Sequence, residues 1–187
     1  QAILIPALIK IAIAHYQFET IHPFLDRNGR IGRLLIPLFL VDQKILEKPL
    51  LYISAFFEKD KSLYYENLTR VRTKSDMTQW LKYFLVGILD TSENAIETLN
   101  RVLSLKSRLE EEVATTFGKR SQKANLLLQY LFEKPIVHVN QVKELTNSSF
   151  KAANDLVNNF VEAGILKEMT GKNRNRLFIF EKYIQLF

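Results

Sequence analysis

One short span, "HPFLDRNGRIGR" from His22 to Arg33, holds a histidine, an aspartate, an asparagine, two glycines and three arginines between two apolar runs. Backbone N–H groups around Asn28 and Gly29, at the start of a helix expected near Arg30, would face outward unpaired and attract an anion. Arg30 and Arg33 stand three apart on the first turn of that helix, and arginine forks match phosphate oxygens. Asp26 would be repelled by a polyphosphate unless a divalent cation lay between them, and Mg²⁺ commonly takes one or two carboxylates together with substrate phosphates. The loop therefore reads as a Mg-nucleotide site. His22 at its rim supplies the side-chain type best suited to take a proton from an attacking hydroxyl near neutral pH. The same composition also suits a plain helix connection, with Asp26 as a cap and the arginines solvated. His15 has no partner pattern around it and reads as a core or surface residue.

Two helices must hold that loop. Ile5, Leu8, Ile9, Ile11, Ala12 and Ile13 recur at helical spacing, which predicts a helix over residues 5–21 with Pro6 tolerated in its first turn. Pro23 ends it, and the residue before a proline is pushed out of the α region, so His22 belongs at the C-terminal edge. "RIGRLLIPLFLVDQKIL" resumes as helix. Further helices are expected at "SLYYENLTRVRT", at residues 76–117 with a break near Asp90, and at "SQKANLLLQYLFE".

"HPFLDRNGRIGR" resembles the signature of Fic-domain proteins, and the flanking "AIAHYQFETIHPF" and "LLYISAFFEKDKSLYYENL" are similar to bacterial members, so the likeness covers roughly residues 1–115. The resemblance implies a protein adenylyltransferase that moves AMP from ATP, with Mg²⁺, to a Ser, Thr or Tyr hydroxyl of a target protein. His22 would match the general base and Asp26 the Mg²⁺ ligand. Asn28 and Gly29 would match the anion hole, Arg30 would support the loop and phosphates, and Arg33 would reach the outer phosphate. Tyr65, with Tyr64, would be a core or adenine-side residue. Gly29 favours AMP transfer over Doc-type phosphotransfer, which uses lysine there. Arg27 departs from the family's glycine, and it carries a cost if that position needs a positive φ. "SLYYEN" fits the family's inhibitory pattern literally, but we do not read it as the inhibitor. The resemblance further implies early helices and a target-docking flap upstream of Gln1, without which the chain would be inactive.

The texture changes near residue 118, which divides an expected Fic domain (1–117) from a second domain (118–187). A short helix, a longer helix ending at Gly164 and a hairpin turning at "TGKNRN" give the order of a winged helix-turn-helix. The fold class expected is thus mainly α, with a Fic-type helical core followed by a small winged-helix (α+β) domain. Lys151 and Asn154 on the longer helix, with Lys172, Arg174 and Arg176 on the wing, could contact DNA. Residues 121–187 carry nine Lys and Arg against six Asp and Glu, a balance of only +3, so packing, dimerisation or regulation is an equal alternative.

Over 187 residues, 26 Lys and Arg against 20 Asp and Glu give +6, which favours anionic partners. Hydrophobic residues make up 47%, enough to bury a core. The absence of cysteine excludes disulfides and thiol catalysis and suits a cytoplasmic setting. No run approaches the length of a membrane span, because Lys10 and His15 interrupt the first apolar stretch. The partners expected are ATP, a hydroxyl-bearing target protein, DNA through the C-terminal domain, and a second copy in a homodimer. The competing functional reading is a DNA-binding regulator whose Fic portion is inactive or senses nucleotide.

Overall fold

The computed structural model describes residues 5–118, 121–172 and 175–187. It is mainly helical with one small sheet, and its contacts divide it into two compact units, Gln1–Ile96 and Glu97–Phe187. That division lies inside helix α5 (Met77–Thr116), earlier than the boundary expected near residue 118.

In the N-terminal unit, α1 (Ala7–Ile21) starts behind Pro6, whose carbonyl accepts the N–H groups of Ile9 and Lys10. α2 (Asn28–Asp42) starts two residues before the expected Arg30, because the carbonyl of Arg27 already accepts from Arg30 and Ile31. α3 (Ser54–Lys59), which the sequence reading did not contain, is followed by α4 (Lys61–Lys74), capped by the Asp60 carboxylate on the Leu63 N–H at 2.9 Å. The break expected near Asp90 is absent. α5 runs through it because the polar residues there find partners within the helix: Ser92 Oγ donates to the Ile88 carbonyl at 2.7 Å and Asn94 Nδ2 to Asp90 Oδ2 at 3.3 Å. Ile11, Ala12, Ile36, Leu40, Phe57, Trp80 and Phe84 form the core, and the Trp80 indole N–H donates to the Ala12 carbonyl at 2.8 Å.

The C-terminal unit orders α6 (Ser121–Glu133), β1 (Ile136–His138), α7 (Val139–Leu145), α8 (Phe150–Glu162), β2 (Lys167–Glu168), β3 (Leu177–Ile179) and α9 (Glu181–Ile184). β1 and α9 add to the elements expected from the sequence. The three strands form an antiparallel sheet in the order β1-β3-β2, with Val137 and Glu168 both opposite Phe178. α7 begins with a capping box in which His138 Nδ1 accepts the Gln141 N–H and Gln141 Oε1 accepts the His138 N–H. α8 buries the expected stripe of Ala153, Leu156, Val157 and Phe160, and Gly164 takes φ +64° just beyond it, a turn that glycine makes without strain.

Candidate active site

His22 caps α1 in the left-handed conformation, φ +53°, with its N–H on the Phe18 carbonyl. The turn brings Nδ1 within 3.1 Å of the Glu19 carbonyl. A carbonyl only accepts, so Nδ1 carries the proton and Nε2 keeps a lone pair. The residue is exposed, so that lone pair is accessible to an incoming hydroxyl.

Asp26 and Arg27 form the exposed tip of the loop. Asp26 Oδ1 accepts the Arg27 N–H at 2.7 Å, and Arg27 Nε stands 3.7 Å from Asp26 Oδ2. Arg27 adopts φ +65°, the condition under which its departure from glycine carries a cost. Its left-handed backbone costs about 1–2 kcal/mol for a side-chain-bearing residue, and glycine's greater freedom in the unfolded chain offsets about 0.4–1 of that. Arg27→Gly is accordingly expected to raise unfolding stability by about 0.5–1 kcal/mol, measured by urea titration.

The side chain of Asn28 is spent within the loop. It is buried, its Oδ1 accepts the Phe24 N–H at 2.9 Å, and its Nδ2 donates to the Phe24 carbonyl at 2.6 Å. The residue therefore shapes the loop with its amide and can offer an anion only its backbone N–H. The N–H groups of Asn28 and Gly29 have no acceptor among the described residues, so the first turn of α2 presents two free donors.

Arg30 is exposed, whereas Arg33 is largely covered and its Nη2 lies 3.5 Å from Glu58 Oε1 on α3. No local motif points to this partner. Glu66, the acid of "SLYYEN", is exposed and forms no such pair. With Glu58 about half exposed, the pair is worth about 0.2–1 kcal/mol, so under the nucleotide reading proposed below Glu58→Gln is expected to tighten ATP binding about 1.5- to 5-fold. Calorimetric titration with ATP and Mg²⁺ on both proteins checks it; equal affinities would show that Arg33 does not meet the ligand.

Glu19 is the other missed residue. Its Oε1 is buried without a hydrogen-bond partner, lying where a Cβ on Gly32 would be, with the Phe18 ring 3.0 Å from the same point. Gly32 is therefore required by close approach: it opens the slot that takes the carboxyl. Burial pushes the Glu19 carboxyl above its ordinary range, with His22 and then Arg33 pulling against it.

Beneath the loop, His15 joins three helices. Its Nδ1–H donates to the Gly32 carbonyl at 3.0 Å, and its Nε2 accepts from the Tyr64 hydroxyl at 2.9 Å. Burial lowers the imidazole to about 4 and raises the Tyr64 phenol well above its ordinary range. His15 is thus a core residue that positions α2. Tyr65 on the next position of α4 is 60% exposed and packs its ring 5.2 Å from Tyr64.

Residues 4–40 match the Fic/DOC family. A probable protein adenylyltransferase of Aquifex aeolicus (strain VF5) is 37% identical over 100 residues, covering 48% of this chain and 30% of its own length. A Fic family protein from Desulfovibrio desulfuricans G20, known from a crystal structure, aligns over 96% of this chain and 50% of its own with a TM-score of 0.51 and 19% identity, a likeness of fold. The chain thus spans between about a third and a half of the length of these relatives. The Fic/DOC match contains α1, the loop and most of α2, and so every residue of the candidate site except Glu58, Tyr64 and Tyr65.

A divalent cation fits this loop only in one manner. Among the described residues no group of three or more His, Asp or Glu side chains could hold a metal. Asp26 is a single exposed carboxylate, suited to a Mg²⁺ ion that arrives with its phosphates and keeps most of its other ligands as water.

Outside the Fic/DOC match, the residues expected to meet DNA separate into two groups. Lys151 lies at the start of α8 in a groove of about 370 Å³ with Lys123, Ser148 and Ser149, where Lys123 Nζ donates to Ser148 Oγ at 3.0 Å. Asn154 and Arg176 are engaged with each other: Arg176 Nη2 donates to Asn154 Oδ1 at 2.8 Å, and its other nitrogen is 3.5 Å from Glu168. Arg176 is thereby largely neutralised. Lys172 is exposed, and Arg174 lies outside the described residues. No helix among the described residues is long and apolar enough to cross a membrane.

Proposed function

We propose that this chain carries the catalytic loop of a protein adenylyltransferase, which transfers AMP from Mg-ATP to a Ser, Thr or Tyr hydroxyl of a target protein. The observation that carries the reading is the Nδ1–H···O bond from His22 to Glu19, which presents Nε2 as a base beside the unpaired N–H groups that begin α2. In this mechanism the target hydroxyl gives its proton to His22 Nε2 as its oxygen attacks the α-phosphorus, and pyrophosphate leaves. The backbone N–H groups of Asn28 and Gly29 hold phosphate oxygens, and Arg30 and Arg33 hold the outer phosphates once Arg33 exchanges Glu58 for them. Asp26 would hold Mg²⁺, which supplies charge neutralisation across the phosphates when bound. Tyr65 supplies an exposed ring on the nucleotide side. The match to the Fic/DOC family and the adenylyltransferase relative support this reading at the level of the family. The test is incubation of the full-length protein with ATP labelled at the α-phosphate, in Mg²⁺ and in chelator, with candidate target proteins present. Label on protein that requires Mg²⁺ supports the reading, and nucleotide binding without transfer to any protein removes it.

A second reading assigns DNA binding to the C-terminal unit as a winged helix-turn-helix. The groove of Lys123 and Lys151 at the N-terminus of α8 favours it, since a helix N-terminus beside two lysines suits a backbone phosphate. Duplex retention that falls steeply as salt rises supports it, and no retention at low salt ends it.

A further inference from the structure

The C-terminal unit also holds a groove of about 530 Å³ between α5 and α9, within the size range of small-molecule sites. Arg101 and Arg108 line it from α5, two helical turns and so about 10 Å apart on one face, and Lys182 enters from α9. None of the three has a carboxylate within 4.0 Å among the described residues. Glu97 lines the same groove four residues before Arg101 without reaching it. One turn further along the same helix, Lys106 does have its acid, Glu110 at 3.9 Å, so the missing partners are a property of this face.

Asn100 and Ser104 add an amide and a hydroxyl to the lining. The floor is Leu105, buried in the core, and Leu186, packed against it. A concave wall with three cations against the single acid Glu97, over an apolar floor, keeps a positive field and concentrates anions. A single carboxylate would meet one arginine and leave the other unpaired, whereas a chain of phosphates carries several charges that can meet both. We propose that this groove binds the di- or triphosphate portion of a ligand, whether a nucleotide or inorganic polyphosphate. The assignment stands independently of the His22 loop. It also differs from the α8 face, where Arg176 is already matched by Glu168.

Isothermal titration of the full chain with inorganic tripolyphosphate, ATP and adenosine, in low and moderate salt, tests it. Tripolyphosphate is expected to bind, more weakly as salt rises. Arg101→Ala with Arg108→Ala is expected to reduce that affinity at least tenfold, while Arg101→Lys with Arg108→Lys retains part of it and Arg33→Ala leaves the groove's binding unchanged. ATP binding that survives Arg33→Ala but is lost in the arginine pair variant points to a nucleotide as the source; tripolyphosphate binding without it points to polyphosphate. Three results would overturn the assignment: a parent that does not bind tripolyphosphate, an alanine pair that binds it equally well, or a single-stranded oligonucleotide held by these arginines when tripolyphosphate is not. Thermal melts that superimpose show that the variants are folded, as exposed positions should allow.

Discussion

His22→Ala is expected to lower AMP transfer by about two to four orders of magnitude, the usual contribution of a positioned general base, while ATP affinity changes by no more than about twofold. The separation of the two effects follows from where the side chain points. Its Nδ1 is held by the Glu19 carbonyl and its Nε2 has no partner among the described residues, so truncation removes the proposed base and leaves in place the groups proposed to hold phosphate. Because position 22 sits at φ +53°, His22→Asn is the better-behaved companion: asparagine accepts the left-handed region more readily than alanine. Both variants should melt with the parent and bind ATP with the parent. Transfer that continues at a tenth of the parental rate or more in both would remove His22 from the reaction, whatever the nucleotide does.

Acid should unfold the N-terminal unit earlier than its carboxylates alone require, and His15 is the reason. Burial holds the folded imidazole down to about 4, below the ordinary histidine value of 6.5. The unfolded state therefore takes up the proton first, and stability present above pH 6.5 is lost as pH falls toward 4. At 1.36 kcal/mol per unit the loss over this window is about 3 kcal/mol, a large share of a small unit's stability. Protonation also reverses one of the two buried bonds: Nε2 can no longer accept from Tyr64 and must donate to its hydroxyl oxygen, which displaces the phenol proton from its acceptor. His15→Gln, which keeps a donor and an acceptor but does not titrate, is expected to be less stable than the parent at pH 7.5 and to lose less between pH 6.5 and 4. Urea unfolding at four pH values gives the comparison. If the two stability profiles run parallel across this window, His15 is not the titrating group.

How far such residues could be read in advance depends on the range of their interactions. The loop was legible because its chemistry is local: Pro23 sets the end of α1, Asn28 closes the turn through Phe24, and the free N–H groups follow from a helix beginning there. Arg27 was legible as a question, since glycine's absence matters only if φ is positive. Glu58 was not legible. It meets Arg33 only once the fold brings Glu58 of α3 within ion-pair reach of α2, and nothing in a six-residue helix far along the chain indicates that neighbour. Glu19 was hidden for a related reason, as its carboxyl fits a slot made by a glycine one helix away. The supposed break at Asp90 failed because composition was read as a boundary where the helix satisfies its own polar groups. In the C-terminal unit the apolar stripe of α8 followed from spacing, but the engagement of Asn154 with Arg176 joins a helix to the residue just before β3, 22 positions later, and could only be seen folded.

Under the proposed function, the Arg33–Glu58 pair changes what kind of event nucleotide binding would be. An unpaired arginine captures phosphate and gives up its diffuse ion cloud, so its affinity erodes with each increment of salt. Here one carboxylate is exchanged for one phosphate oxygen, and the count of close charge pairs is the same before and after. The site then behaves as an ion exchanger rather than an electrostatic trap, and its grip on ATP should depend on ionic strength less than its two arginines alone would suggest.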